Sequence, residues 1–228
     1  GKDKIGEMAL TIYNELGMNT ASIIQDEKYS TGVAGIMVNE KTGDNAINIV
    51  PGAAGTLISD DIDRNLNFIE KAQIFLTQLE TPYDVTRYAL KKAKEKGLVT
   101  ILNPAPACEI EDDDFQLIDF FTPNETEAEF YLNKKIETEK DIKSASEQFL
   151  KKGIKNVVMT LGEKGCYFAN EKENFFINAF KLKEPVLDTT GAGDAFNGAL
   201  AVGLSKDLDL EEALKFANKV AAISTTKQ

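Results

Sequence analysis

From residue 72 to residue 161 the chain alternates short, nearly continuous apolar runs with longer amphipathic segments, and this alternation constrains the fold more than any other feature. Segments 72–78, 98–102, 117–121 and 156–161 read as strands, whereas 82–96, 125–132 and 140–152 read as helices. Pro82 suits the first turn of its helix, and Gly97 falls just past that helix's end. Strand, helix and strand at this spacing make a parallel βαβ unit. Its repetition predicts an α/β protein: one domain over 1–228 with a doubly wound, mostly parallel sheet flanked by helices. Sheets of this kind collect their ligands at the carboxyl ends of the strands.

The remaining segments fit around that sheet. Ile5, Met8, Ala9, Ile12 and Leu16 recur at helical spacing before Gly17 stops the pattern. Segment 21–25 reads as a short strand, while 31–39 and 45–50 read as a hairpin turning around 42–44. Segment 58–69 reads as a helix, and 166–170 with 174–177 as antiparallel strands.

The run Asp-Thr-Thr-Gly-Ala-Gly-Asp-Ala-Phe-Asn-Gly-Ala-Leu over 188–200 carries the chemistry. Gly191, Ala192 and Gly193 are small enough to bare backbone N–H groups, and the apolar-rich segment 195–204 behind them has helical length and no proline. A small-residue turn opening a helix attracts anions, because the first N–H groups lack partners and the helix dipole adds partial positive charge. Asp194 stands inside that turn. A carboxylate beside a phosphate hole opposes binding, but it suits removal of a proton from a hydroxyl that attacks phosphorus. The plain alternative is a helix start with Asp194 as a capping residue.

Composition narrows the chemistry. Lys and Arg total 26 against 37 Asp and Glu, a formal net charge of −11 with no arginine-rich stripe, which argues against nucleic acid as a partner. No apolar run is long enough for a membrane span and no signal peptide opens the chain, so a soluble, cytoplasmic protein is expected. Histidine is absent, which excludes cysteine-histidine zinc sites and histidine-dependent triads. Cys108 and Cys166 are far apart in sequence and read as reduced thiols. Polar residues cluster at predicted strand ends: Glu80, Asn103, Asn124, and Thr160 with Gly162. Each has an ordinary reading as a turn or helix-start residue; together they mark a ligand-binding edge.

The run 188–200 resembles, position by position, the second signature of the ribokinase (PfkB) family of carbohydrate kinases. QLETP, LNPAPA, FTPNETEAE and TLGEKG resemble that family's corresponding segments in its ribokinase branch, and the likeness runs through essentially the whole chain. The resemblance implies an anion hole at Gly191, Ala192 and Gly193, and a catalytic base at Asp194. It implies sugar contacts from Glu80 and Asp194, and nucleotide contacts from Asn124, Thr160, Gly162, Gly193 and Asn218. Mg²⁺ would be held near Glu127 through water, which suits an ion that prefers oxygen ligands and retains water. K⁺ would be held by Asp188 with carbonyls from Thr190 and Ser224; the alternative for Asp188 is a hydrogen-bonded turn with Thr190. No GxxxxGK[ST] loop is present.

The implied reaction is transfer of the γ-phosphoryl of ATP to the 5-hydroxyl of D-ribose. Alternatives are a family member acting on fructose, a ketodeoxy sugar acid or a nucleoside, and a nucleotide-binding module without turnover. The hairpin at 31–50 resembles part of the family's β lid, through which a homodimer is expected in the complete protein. The family's N-terminal sugar-contact segment with its GGKGAN signature and its C-terminal glycine-rich segment have no counterpart. The 228-residue chain alone is therefore expected to be inactive.

Overall fold

The computed structural model describes residues 1–38 and 45–227, so the predicted turn at 42–44 lies outside the described residues. The chain divides into two compact units, Gly1–Phe68 with Glu80–Val85 and Ile69–Leu79 with Thr86–Gln228.

In the first unit, α1 (Lys4–Glu15) begins at Asp3, whose Oδ1 accepts the Gly6 N–H at 2.9 Å. No residue of α1 is buried: its predicted apolar face, Ile5, Met8, Ile12 and Leu16, is exposed. β1 (Val33–Val38) and β2 (Asn45–Val50) pair antiparallel from Val33 opposite Val50, as the period-2 pattern predicts. The predicted strand at 21–25 does not form; Ile23 N–H closes a turn onto Thr20 O at 3.0 Å, and Ala21 N–H is taken by the Asn19 side chain at 3.1 Å. The apolar pair Ile23 and Ile24 has β-propensity but no neighbouring strand among the described residues to satisfy its backbone. The predicted helix at 58–69 is divided into α2 (Ser59–Asp63) and α3 (Leu66–Ile69). Asn65 explains the break, because its Nδ2 donates to Asp61 O at 2.8 Å and competes for a carbonyl that a continuing helix would use.

The second unit is built on a six-stranded sheet ordered β3 (Ile74–Thr77), β4 (Val99–Leu102), β5 (Phe120–Phe121), β6 (Asn156–Thr160), β7 (Cys166–Asn170) and β8 (Asn174–Ile177). β3 to β6 are parallel, and β6, β7 and β8 pair antiparallel. The crossovers carry α4 (Tyr83–Glu95) and then α5 (Glu125–Leu132) with α6 (Glu139–Lys151), close to the sequence expectation. Between β4 and β5 the chain makes only a 3₁₀ turn, Asp112–Leu117; Leu117 belongs to that turn, so the strand predicted at 117–121 shortens to two residues. After β8 come α7 (Ala192–Ser205) and α8 (Leu210–Ser224).

Both faces of this sheet are covered. Phe120 joins Ile101, Val158, Phe168, Phe196, Leu200 and Leu214 in the core beneath α7 and α8. Its neighbour Phe121 enters an edge-to-face aromatic cluster with Phe115, Tyr131 and Phe149. Adjacent residues of one strand thus feed opposite layers, as the pleat requires. Gly203 lets the last two helices touch, since a Cβ there would lie 2.9 Å from Ala213 Cβ.

Candidate functional site

The carboxyl ends of β3 to β6 and the amino end of α7 gather most of the predicted residues of the second unit. Gly191 caps α7 with φ +74°, a left-handed conformation in which a side chain would be strained, so the turn there depends on glycine. Ala192 N–H folds back on Thr189 O at 3.2 Å and Ala195 N–H bonds Gly191 O at 2.9 Å. The N–H groups of Gly193 and Asp194 belong to the opening turn, which has no preceding carbonyls within the helix to satisfy it. Both residues are exposed, and neither N–H has a backbone partner outside the helix among the described residues.

Asp194 does not cap α7; the cap position is Gly191, which has no side chain, and the ordinary capping alternative therefore does not apply. Its Oδ1 instead accepts from Gln78 Nε2 at 2.7 Å, across 116 residues of sequence. Gln78 directly follows β3, which runs beside α7. The turn is braced from below: Asn197, one helical turn after Gly193, donates Nδ2 to Gly193 O at 2.9 Å and accepts Thr122 Oγ1 at 2.7 Å. Thr122 and Asn197 are both buried, so the bond between them is shielded from water, while the one to Gly193 O reaches the exposed turn. Gln78, Thr122 and Asn197 are not among the residues singled out from the sequence. Helical spacing from Gly193 marks Asn197, and placement at a strand end marks Gln78 and Thr122.

At the end of β5, Asn124 and Glu127 form a reciprocal cap of α5: Asn124 N–H donates to Glu127 Oε2, and Glu127 N–H to Asn124 Oδ1, each at 2.8 Å. Burial pushes the Glu127 carboxyl above its ordinary pKa, opposed by the Asn124 N–H. Thr160 N–H bonds Pro123 O at 2.9 Å and Thr160 bridges to Asn124, so these two predicted nucleotide residues are adjacent. Gly162 follows in an exposed turn with φ +54°. Asn103, at the end of β4, is buried with no hydrogen-bond partner for Oδ1 among the described residues. An oxygen left so is a place where a ligand, ion or water completes the structure. Glu80 is exposed and belongs to the first unit.

Asn218, on α8, lines a groove of about 410 Å³ with Ile177, Ala179, Phe180 and Phe216. Its Nδ2 donates to Cys166 Sγ at 3.3 Å. Burial pushes the Cys166 thiol up to about 12, and it is not disulfide-bonded. Asp188 adopts the turn that sequence reading held as the alternative: its Oδ1 accepts Thr190 N–H at 2.8 Å, and the Thr190 backbone and hydroxyl hold the carboxyl below its ordinary range. The N–H groups of Leu187 and Asp188 reach Thr225 O at 2.8 and 3.1 Å, which brings Asp188 to the end of α8 where Ser224 lies. Ser224 O accepts Lys227 N–H at 3.1 Å. Among the described residues no three His, Cys, Asp or Glu side chains converge as a metal cluster, and no helix is long and apolar enough to cross a membrane.

Comparison with known proteins matches this arrangement to one family. The pfkB family carbohydrate kinase profile matches residues 1–228. The chain is 36% identical over 228 residues to a ribokinase of Staphylococcus aureus (strain COL), covering 100% of this chain and 74% of the relative. It is 34% identical over 227 residues to a deoxyribokinase of Salmonella typhi, covering 99% of this chain and 73% of the relative. The structure of Arabidopsis thaliana ribokinase complexed with ribose and ATP superposes with a TM-score of 0.83 at 29% identity, covering 100% of this chain and 74% of that one. By its whole length, its sheet and its glycine turn, the chain belongs to the pfkB family of carbohydrate kinases.

Proposed function

We propose that this carbohydrate kinase transfers the γ-phosphoryl of ATP to the 5-hydroxyl of D-ribose, giving ribose 5-phosphate and ADP. The observation that carries the reading is Asp194 in the glycine turn, one oxygen anchored by Gln78, with the N–H groups of Gly193 and Asp194 left without a partner in the opening turn of the helix. The ribokinase relatives, and the ribose and ATP held by the Arabidopsis protein, favour ribose as the acceptor.

In this reading Asp194 takes the proton of the 5-hydroxyl as the O5–P bond forms and the bond from the γ-phosphorus to the β–γ bridging oxygen breaks. ADP leaves with the electron pair. Of the N–H groups from Gly191 to Asp194 expected to stabilise charge on the transferring group, that of Ala192 is bonded to Thr189 O at 3.2 Å, which leaves those of Gly191, Gly193 and Asp194 for the role. Glu80 contacts sugar hydroxyls. Asn124, Thr160 and Gly162 line the phosphates, and Asn218 stands beside the base in its largely apolar groove.

Mg²⁺ fits the donors present: Glu127 uses one carboxylate oxygen on Asn124 N–H, and the partnerless Asn103 Oδ1 is a hard oxygen of the kind the ion prefers. Glu127 would hold it through water; when bound, the ion supplies charge neutralisation for the phosphates. Asp188 with the Thr190 and Ser224 carbonyls would hold K⁺. The protein is read as cytoplasmic, pairing through its β1–β2 hairpin as a homodimer.

A specific observation favours a second acceptor, since a relative of nearly equal identity is a deoxyribokinase. Sugar-dependent ADP release, measured on the full-length protein with D-ribose, 2-deoxy-D-ribose and D-fructose, separates the readings. Ribose is expected to give the highest kcat/KM, and a preference for deoxyribose or fructose overturns ribose as the substrate.

A further inference from the structure

The two oxygens of Asp194 have different surroundings. Oδ1 accepts the Gln78 amide at 2.7 Å. Oδ2 lies over the glycine turn, where a methyl on Gly191 would sit 3.8 Å from it. Because a carboxylate only accepts, the amide group facing it must be the Nε2 donor. Gln78 is half-buried and directly follows β3, whereas Asp194 is exposed on the first turn of α7 and its side chain has no other hydrogen bond among the described residues. An exposed aspartate samples several rotamers, and each one that turns away from the acceptor hydroxyl costs rate. A neutral donor fixes the carboxylate without setting a cation beside the incoming phosphate charge.

We propose that Gln78 is a positioning residue for the general base: it holds Oδ1 so that Oδ2 faces the hydroxyl from which it takes a proton. The inference rests on Asp194 being the base. Gln78 does not act on the substrate itself, so its contribution must vanish once Asp194 cannot accept a proton.

The test is a double-mutant cycle in the full-length enzyme with ribose and ATP, using two variants of Gln78 so that a folding defect in one does not decide the matter. Gln78→Met keeps the length and loses the donor. It is expected to lower kcat by about ten-fold, the scale of one lost charge-assisted hydrogen bond, with KM for both substrates within about two-fold. Gln78→Glu sets a second carboxylate against the first and is expected to lower kcat further. In the Asp194→Asn background, Gln78→Met is expected to change nothing more.

Full kcat in Gln78→Met overturns the positioning role while leaving the base intact. A loss of equal size in both backgrounds, or one carried by the ribose KM, also overturns it and makes Gln78 a structural or sugar-binding residue. Unchanged turnover in Asp194→Asn alone removes the base, and this inference with it.

Discussion

Three aspartates beside turns or helix starts show how one residue type is put to different uses by its neighbours. Asp3 spends both oxygens: Oδ1 accepts Gly6 N–H at 2.9 Å and the Thr31 hydroxyl at 2.8 Å, and Oδ2 accepts Thr31 N–H at 2.7 Å. Asp188 closes a short turn on Thr190. Asp194 alone keeps an oxygen over an open glycine turn, which is what a base needs and a cap does not. The backbone N–H of Gly6, then that of Thr31, then the Thr31 hydroxyl hold the Asp3 carboxyl down at about 2, from an ordinary 3.8. A depressed carboxyl stabilises the folded form above its unfolded value, and that contribution fades as pH falls through the folded value. The wild type should therefore lose Asp3's contribution between about pH 4 and pH 2. Asp3→Asn should unfold more readily at pH 7, with the gap from wild type closing over that window. Chemical denaturation followed by circular dichroism across pH checks it; a gap independent of pH would show that the cap is not electrostatic.

At the scale of elements, what was legible in the sequence depended on whether a segment's state is decided locally. α5 and the strands β7 and β8 came out with the predicted bounds, because caps and apolar pattern act within a few residues. Segment 21–25 failed for the opposite reason: a strand exists only where another strand accepts its bonds, and nothing in Ile23 or Ile24 reports that. α8 went unread although Leu210, Ala213, Leu214, Ala217 and Val220 follow helical spacing, so there the signal was present. In the site, Gly191 and Asp194 announce themselves by adjacency in sequence. The Thr122–Asn197–Gly193 chain does not, because its members meet only once β5 and α7 are packed. That chain makes a prediction. Thr122→Val should cost about 1–3 kcal/mol of folding stability, since the buried Asn197 Oδ1 loses its donor. Adding Asn197→Leu removes the orphaned acceptor as well, so the double variant should be less destabilised than the sum of the single ones. Urea titration of the four proteins measures this, and strict additivity would mean that the two side chains do not act as a pair.

At the scale of the whole molecule, the buried core is distributed unevenly between the two units. Among the first unit's residues, those at 38 and 45–47 left aside, Val85 alone is a buried hydrophobic; Ile5, Met8, Ile12, Leu16, Val33, Ile36 and Ile49 are exposed. The second unit holds the rest, with Ile101, Phe121, Val157, Val158, Met159, Phe168, Leu200 and Leu214 almost wholly removed from water. Apolar area removed from water is the main favourable contribution to folding, so each unit's resistance to opening should follow its own share. The predicted order appears in native-state hydrogen exchange. Amides of α1 and of β1 should exchange through local opening at free energies well below that of global unfolding. Amides of β4, β6 and the middle of α7 should exchange only when the whole second unit unfolds, with a denaturant dependence matching the global transition. The glycine turn opens α7, whose Phe196, Ala199 and Leu200 are anchored in the core, so the proposed anion hole would stand on the well-packed side of this gradient. Phosphoryl transfer depends on donors that are already aimed, so the turn should inherit the rigidity of the helix behind it. Protection of the first hydrogen-bonded amides of α7, from Ala195 onward, should then lie nearer that of the sheet than that of the hairpin. Exchange of those amides as fast as β1 would show that the glycine turn is not held in place by the helix behind it, and that the proposed anion hole would have to be assembled on ligand binding.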